Sequence, residues 1–143
     1  MNDTERARAC RDAMWADDLA AQALGVDVTV DAPGAAIATM KVREHMVNGH
    51  GLCHGGYIFT LADIAFAFAC NTYGMVTVAA GASIDFIRPG RLGDTLTATA
   101  SEAHRGGRTG VYDVHVTNGD GVSVAIFRGR SHATRQALIE SDT

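Results

Sequence analysis

Residues 48–63 read NGHGLCHGGYIFTLAD, and in the run from Tyr57 to Cys70 the single strongly polar side chain is Asp63. An ionised carboxylate among apolar side chains is costly unless it is paired, protonated or put to use. Upstream, Gly55 and Gly56 follow His54, and no Ser, Thr, Asp or Asn stands there to cap a helix that begins at the glycines. The first N–H groups of such a helix, at the positive end of its dipole, stay available to a ligand oxygen. Free N–H donors and a carboxylate are what hydrolysis of an acyl group requires. The donors hold the developing oxyanion, and the carboxylate delivers the oxygen of water as a base or attacks as a nucleophile. Each feature also has a plain structural alternative. The glycines can serve a tight turn into the helix, and a buried Asp can simply satisfy a nearby donor.

Two further residues belong to the same stretch. Asn48 can polarise the acyl oxygen or hold the water, or it can act only as the turn residue before Gly49. His54 can orient the loop or the substrate. A metal site built from His45, His50, Cys53 and His54 is not expected, because the intervening glycines break any helical HxxxH face and there is no HExxH glutamate.

The elements that must carry these groups follow from hydrophobic period. An N-terminal helix is expected over residues 1–25, capped by Asp3 or Thr4, with Cys10, Met14 and Trp15 on one side and Gly25 as its stop. Val26, Val28 and Val30 then alternate with polar residues up to Pro33-Gly34, and residues 35–43 form a second strand. The apolar helix runs from about Gly56 to Asn71, with Gly74 beyond it. Strands are expected near 77–88, 94–104, 108–117 and 121–132, divided by Pro89-Gly90, Gly106-Gly107 and Asn118-Gly119-Asp120-Gly121. Tyr112, Val114 and Val116 alternate as core residues, and Gly81 marks a bulge or a close backbone approach. A flexible tail is expected over 133–143.

Length and composition fit one domain. The 143 residues are 47% hydrophobic with a formal charge of −4, which argues against disorder. The apolar run is shorter than the roughly 18–20 residues that cross a bilayer, and the N-terminus lacks a signal-peptide layout. Cys10, Cys53 and Cys70 are odd in number and have no CxxC spacing, so reduced thiols and a cytoplasmic setting are expected. Residues 88–130 hold six arginines against four acids and can meet an anion, but no basic run is dense enough for nucleic acid.

A helix apolar nearly all round needs cover on nearly all sides. A curved antiparallel sheet supplies part of it and a second subunit the rest, which implies a homo-oligomer. The site leads to the same result. Gly55 and Asp63 are eight residues apart, roughly 12 Å along a helix, too far for both to touch one carbonyl. Two antiparallel copies would set Gly55 of one chain against Asp63 of the other, giving shared sites.

The strings NGHGLCHGGYIFTLADIAFAFACN, IDFIRPGRLGDTLTATA, RTGVYDV and VAIFRGRSH, in this order, resemble the hot-dog-fold thioesterases of the phenylacetate pathway, which act on phenylacetyl-CoA and its ring-hydroxylated relatives. The resemblance spans about residues 10–132. It implies an α+β hot-dog fold, with a curved antiparallel sheet wrapped around one central helix. It also implies that Asp63 is the catalytic carboxylate, that Gly55 N–H is an oxyanion donor, and that Asn48 and His54 belong to the site. The sequence departs from the family pattern at Cys53 and Tyr57 with their neighbours, positions that can alter the acyl pocket without touching the chemistry. Arg88 and the run Arg108-Thr109-Gly110 are candidates to contact the phosphates or pantetheine of CoA, as the resemblance also implies, although exposed arginines are usually only solvated. CoA is then part of the substrate rather than a cofactor, and the oligomer is a dimer or a dimer of dimers. The rival readings are a hot-dog enoyl-CoA hydratase or dehydratase, and a non-catalytic acyl-CoA sensor.

Overall fold

The computed structural model describes residues 1–140. Helix α1 (Asp3–Asp17) opens on Asn2, one residue before the expected caps. The Asn2 side-chain oxygen accepts the Glu5 N–H at 2.8 Å, and its amide donates to Glu5 Oε1 at 2.8 Å. Asn2 prevails because that reciprocal pair needs a partner three residues on, and Glu5 supplies it. The expected single helix is broken at Asp18, which closes α1 and caps α2 (Leu19–Ala23) by accepting the Ala21 N–H at 3.0 Å. Gly25 ends the segment at φ +68°, a left-handed backbone suited to glycine.

Next come β1 (Asp27–Thr29), β2 (Ala35–Lys41), a 3₁₀ turn at Glu44–Met46, and the central helix α3 (Gly55–Cys70). The strands β3 (Met75–Phe86), β4 (Thr95–Gly106), β5 (Thr109–Thr117) and β6 (Ser123–Ala137) complete one six-stranded antiparallel sheet in the order β1-β2-β4-β5-β6-β3. The sheet curls around α3, as the expected hot-dog fold requires. β6 passes the expected strand end because Ala133 and Ala137 still pair with β3. Leu138 and Ile139 then donate to the Gly74 carbonyl. Residues 133–137 therefore belong to the sheet, and residues 141–143 of the expected tail lie outside the described residues.

The core sits between α3 and the inner face of the sheet. Ile58, Leu61, Ala62, Ala65, Phe66 and Ala69 of α3 are buried against Ala36, Ala38, Met40, Leu96, Ala98, Val114 and Val116. Tyr112, Val114 and Val116 are core residues, as their alternation predicts. Phe66 packs on Tyr112 and Phe127, with ring centroids 5.7 and 5.8 Å away. A Cβ at Gly129 would stand 2.8 Å from Phe66 ring atoms, so glycine there lets the ring lie on the strand. The register of β3 against β6 shifts between Ala79 and Gly81, the bulge expected at Gly81.

One stripe of α3 is not covered. Gly56 is exposed, and Thr60, Asp63 and Ala67, spaced at helical intervals on the same side, are only half-buried.

Candidate active site

The loop before α3 is held tightly by its own backbone. The N–H groups of Asn48, Cys53 and His54 donate to the carbonyls of Leu52, Gly90 and Met46 at 2.8, 2.8 and 2.9 Å. His54 is extended (φ −60°, ψ 140°), takes the N-cap position, and offers no side-chain cap. Neither Gly55 nor Gly56 has a backbone or side-chain acceptor for its N–H among the described residues. Two free donors therefore stand at the positive end of a 16-residue helix.

Asp63 lies two turns further along α3. Its carboxylate has no hydrogen bond or ion pair among the described residues. Burial pushes its pKa above the ordinary carboxylate value, and the negative charge of Asp18 pushes it the same way. The result is a carboxyl with raised basicity whose oxygens are uncommitted among the described residues.

The other expected residues fall in two groups. Asn48 is the turn residue: its Oδ1 accepts the N–H groups of His50 and Leu52 at 2.9 and 3.2 Å, which leaves its amide NH₂ as the group free to meet a substrate. The His54 side chain is exposed beside Gly55. Arg88 shares with Gly55 an open groove of about 400 Å³, lined also by Cys53, Ile58, Phe86, Ile87 and Pro89. Arg108 and Thr109 lie elsewhere. They border a cavity of about 60 Å³ together with Cys70, Tyr73, Tyr112 and Ser131. Gly110 is buried beside it, and a Cβ there would meet Ser131 Oγ and the Tyr112 ring at 2.8 Å. Because Gly55 begins α3 and Cys70 ends it, the two arginines belong to opposite ends of a helix roughly 24 Å long. One chain cannot bring them to the same phosphate. Tyr57 packs edge-on against His45 with centroids 6.0 Å apart, and no three His, Cys, Asp or Glu side chains converge among the described residues.

Two residues near the site were not found by sequence reasoning. Asp18 comes near enough for its charge to act on Asp63 only because α1 packs by α3, where Trp15 meets Phe68 at 6.5 Å, and no sequence signal marks it. Phe86 lies against Gly55, with its ring tip 2.8 Å from where a Gly55 Cβ would be. Its signal was an apolar residue directly before the IRPG turn.

A curled sheet around an apolar helix, with free N–H groups at the helix start and an unpaired carboxyl two turns on, defines a hot-dog acyl hydrolase. The chain belongs to the thioesterase superfamily, which residues 50–125 match, and its chemistry is thioester hydrolysis. It is 52% identical over 120 residues to the acyl-coenzyme A thioesterase PaaI of Escherichia coli (strain K12), covering 84% of this chain and 86% of the relative. The solved structure of the E. coli PaaI protein from the phenylacetic acid degradation operon superposes with a TM-score of 0.92 at 47% identity, covering 95% of this chain and 99% of that one. A hypothetical thioesterase from Streptococcus pneumoniae, solved with coenzyme A, superposes at a TM-score of 0.73 and 32% identity, covering 78% of this chain and 90% of that one.

Proposed function

We propose that the protein hydrolyses aryl-acetyl-CoA thioesters, phenylacetyl-CoA and its ring-hydroxylated derivatives, to the free acid and CoA, in sites shared between two copies of the chain. The observation that carries this reading is the unpaired Asp63 carboxyl two turns from the free N–H of Gly55. The relatives reported above support the acyl-CoA substrate.

The mechanism follows from these groups. The thioester carbonyl oxygen accepts the Gly55 N–H of one chain. Asp63 of the second chain takes a proton from water as the oxygen attacks the carbonyl carbon, and the tetrahedral oxyanion is held at the helix start. Collapse breaks the C–S bond, and the proton on Asp63 passes to the departing thiolate. Asn48 NH₂ and His54 position the substrate. Arg88 of one chain and Arg108 and Thr109 of the other contact CoA, which two antiparallel copies of α3 would allow, while the buried Gly110, expected as a third contact, serves the packing of β5 instead. CoA enters and leaves as substrate and product, so no separate cofactor or metal enters the scheme.

The homo-oligomer, a dimer or a dimer of dimers, has independent support. β3 is an edge strand of 12 residues, with Met75 and Val78 exposed, and a long apolar edge of this kind is a template for pairing with another chain. A cytoplasmic setting fits three cysteines that are all free and buried.

Thiol release from a panel of acyl-CoA thioesters tests the substrate. Phenylacetyl-CoA and its hydroxylated forms should give higher kcat/KM than straight-chain acyl-CoAs. Loss of crotonyl-CoA absorbance without thiol release would assign a hydratase instead, and tight binding without turnover would assign a sensor.

A further inference from the structure

We infer that Phe86 selects the acyl group: its ring, resting on Gly55 at the mouth of the groove, forms the wall against which a substrate's aromatic ring packs. The inference rests on the thioesterase reading above and adds a specificity residue to it.

Phe86 is held from behind and open in front. It is the last residue of β3 and pairs with Ala125 of β6. The next two N–H groups, of Ile87 and Arg88, both donate to the Val124 carbonyl at 2.8 and 3.2 Å, which anchors the backbone. The residue as a whole is 53% exposed. A Cβ on Gly55 would meet its Cζ at 2.8 Å and its two Cε atoms at 3.2 and 3.3 Å, so the ring tip lies directly on the glycine Cα. An aromatic ring half in water and half against the oxyanion donor has apolar surface left to bury, and the groove of about 400 Å³ beside it is walled by Cys53, Ile58, Ile87 and Pro89.

Geometry then restricts what can use that surface. A carbonyl oxygen bonded to Gly55 N–H brings the substituents of the carbonyl carbon within reach of the Phe86 ring. An aryl-acetyl group carries its ring one methylene away, a spacing that permits an edge-to-face or offset pair at centroid distances of about 4.5–7 Å. A straight alkyl chain makes only ordinary apolar contact there.

The test is kcat/KM for phenylacetyl-CoA and hexanoyl-CoA in the wild type, Phe86→Leu and Phe86→Tyr. Loss of the aromatic pair in Phe86→Leu should lower the phenylacetyl-to-hexanoyl ratio by roughly 3- to 10-fold, whereas Phe86→Tyr should retain the ratio. An unchanged ratio in Phe86→Leu, with both substrates slowed equally, would overturn the inference and leave Phe86 a general wall or a pantetheine contact. The contact has its own readout. Gly55→Ala keeps the N–H but drives a methyl into the ring, so Phe86→Ala in the same chain should restore part of the lost hexanoyl-CoA activity. Additive losses in that double variant would also overturn the inference. Absence of hydrolysis on every thioester in the wild type would instead overturn the thioesterase reading on which the selection depends.

Discussion

Among the described residues Asp63 has no donor to hold it ionised, while burial and Asp18 both favour the protonated form. Its folded pKa therefore lies above its unfolded one. Stability associated with the proton is fully present below the ordinary value of 3.8 and is lost as pH rises through the raised folded value, so at neutral pH the charged carboxylate costs the fold free energy. Asp63→Asn should consequently melt higher than the wild type at pH 8, and the difference should shrink as the melts are repeated toward pH 4. The same change should lower kcat by about 10²- to 10⁴-fold, the usual contribution of a positioned acid or base. A variant that loses activity but gains no stability would leave the burial argument without support. The coupling to Asp18 is separately measurable. Asp18→Asn keeps an oxygen to accept the Ala21 N–H, so α2 stays capped, but it removes the like charge. The acid limb of the kcat/KM profile should then move to lower pH, and an unmoved limb would show that the two carboxyls do not interact. Asp63 was legible in the sequence because it stands alone in an apolar run. Asp18 was not, because its relation to Asp63 exists only after α1 has packed by α3.

At the scale of elements, α3 depends on glycines for opposite reasons. Gly55 presents a free N–H, while Gly129 of β6 supplies only the absence of a side chain, so that the buried Phe66 can lie on the strand. Gly129→Ala should cost about 1–3 kcal/mol in denaturant unfolding, the usual range for overpacking a filled core. Gly119→Ala, with nothing within 4 Å of its added methyl, should be near neutral and serves as the control. The strands and α3 were legible because alternation and turn glycines bound them closely. The differences lie where long-range contacts decide. β3 begins earlier than its apolar period suggests because Met75 pairs with Ala137, and β6 continues through the polar Thr134–Gln136 because β3 lies beside it. The break at Asp18 could equally have continued as helix by propensity alone. Asn48 carried two readings from the sequence, and its bonds to His50 and Leu52 assign its carboxamide oxygen to the loop.

At the scale of the molecule, three features point to a second copy: the uncovered stripe of Gly56, Thr60, Asp63 and Ala67, the exposed edge of β3, and the separation of Gly55 from Asp63 along one helix. A shared site has a consequence that no single-chain site has, namely that two inactive variants can restore each other. Asp63→Ala removes the proposed base. Gly55→Pro removes the N–H proposed to hold the oxyanion, and the backbone should accept it, because Gly55 is the first residue of α3 and His54 before it is already extended. The exposed Phe86 ring would have to turn aside. When the two variants are unfolded and refolded together in equal amounts, about half the dimers should be mixed. In each mixed dimer, one site joins the intact Gly55 of one chain to the intact Asp63 of the other, and its twin carries both lesions. About a quarter of wild-type activity should therefore return from two inactive parents, provided that the sites act independently. If both parents fold, and mixed dimers form by mass spectrometry yet stay inactive, then Gly55 and Asp63 do not meet across the interface. Each chain would then have to build its site without one of these two groups.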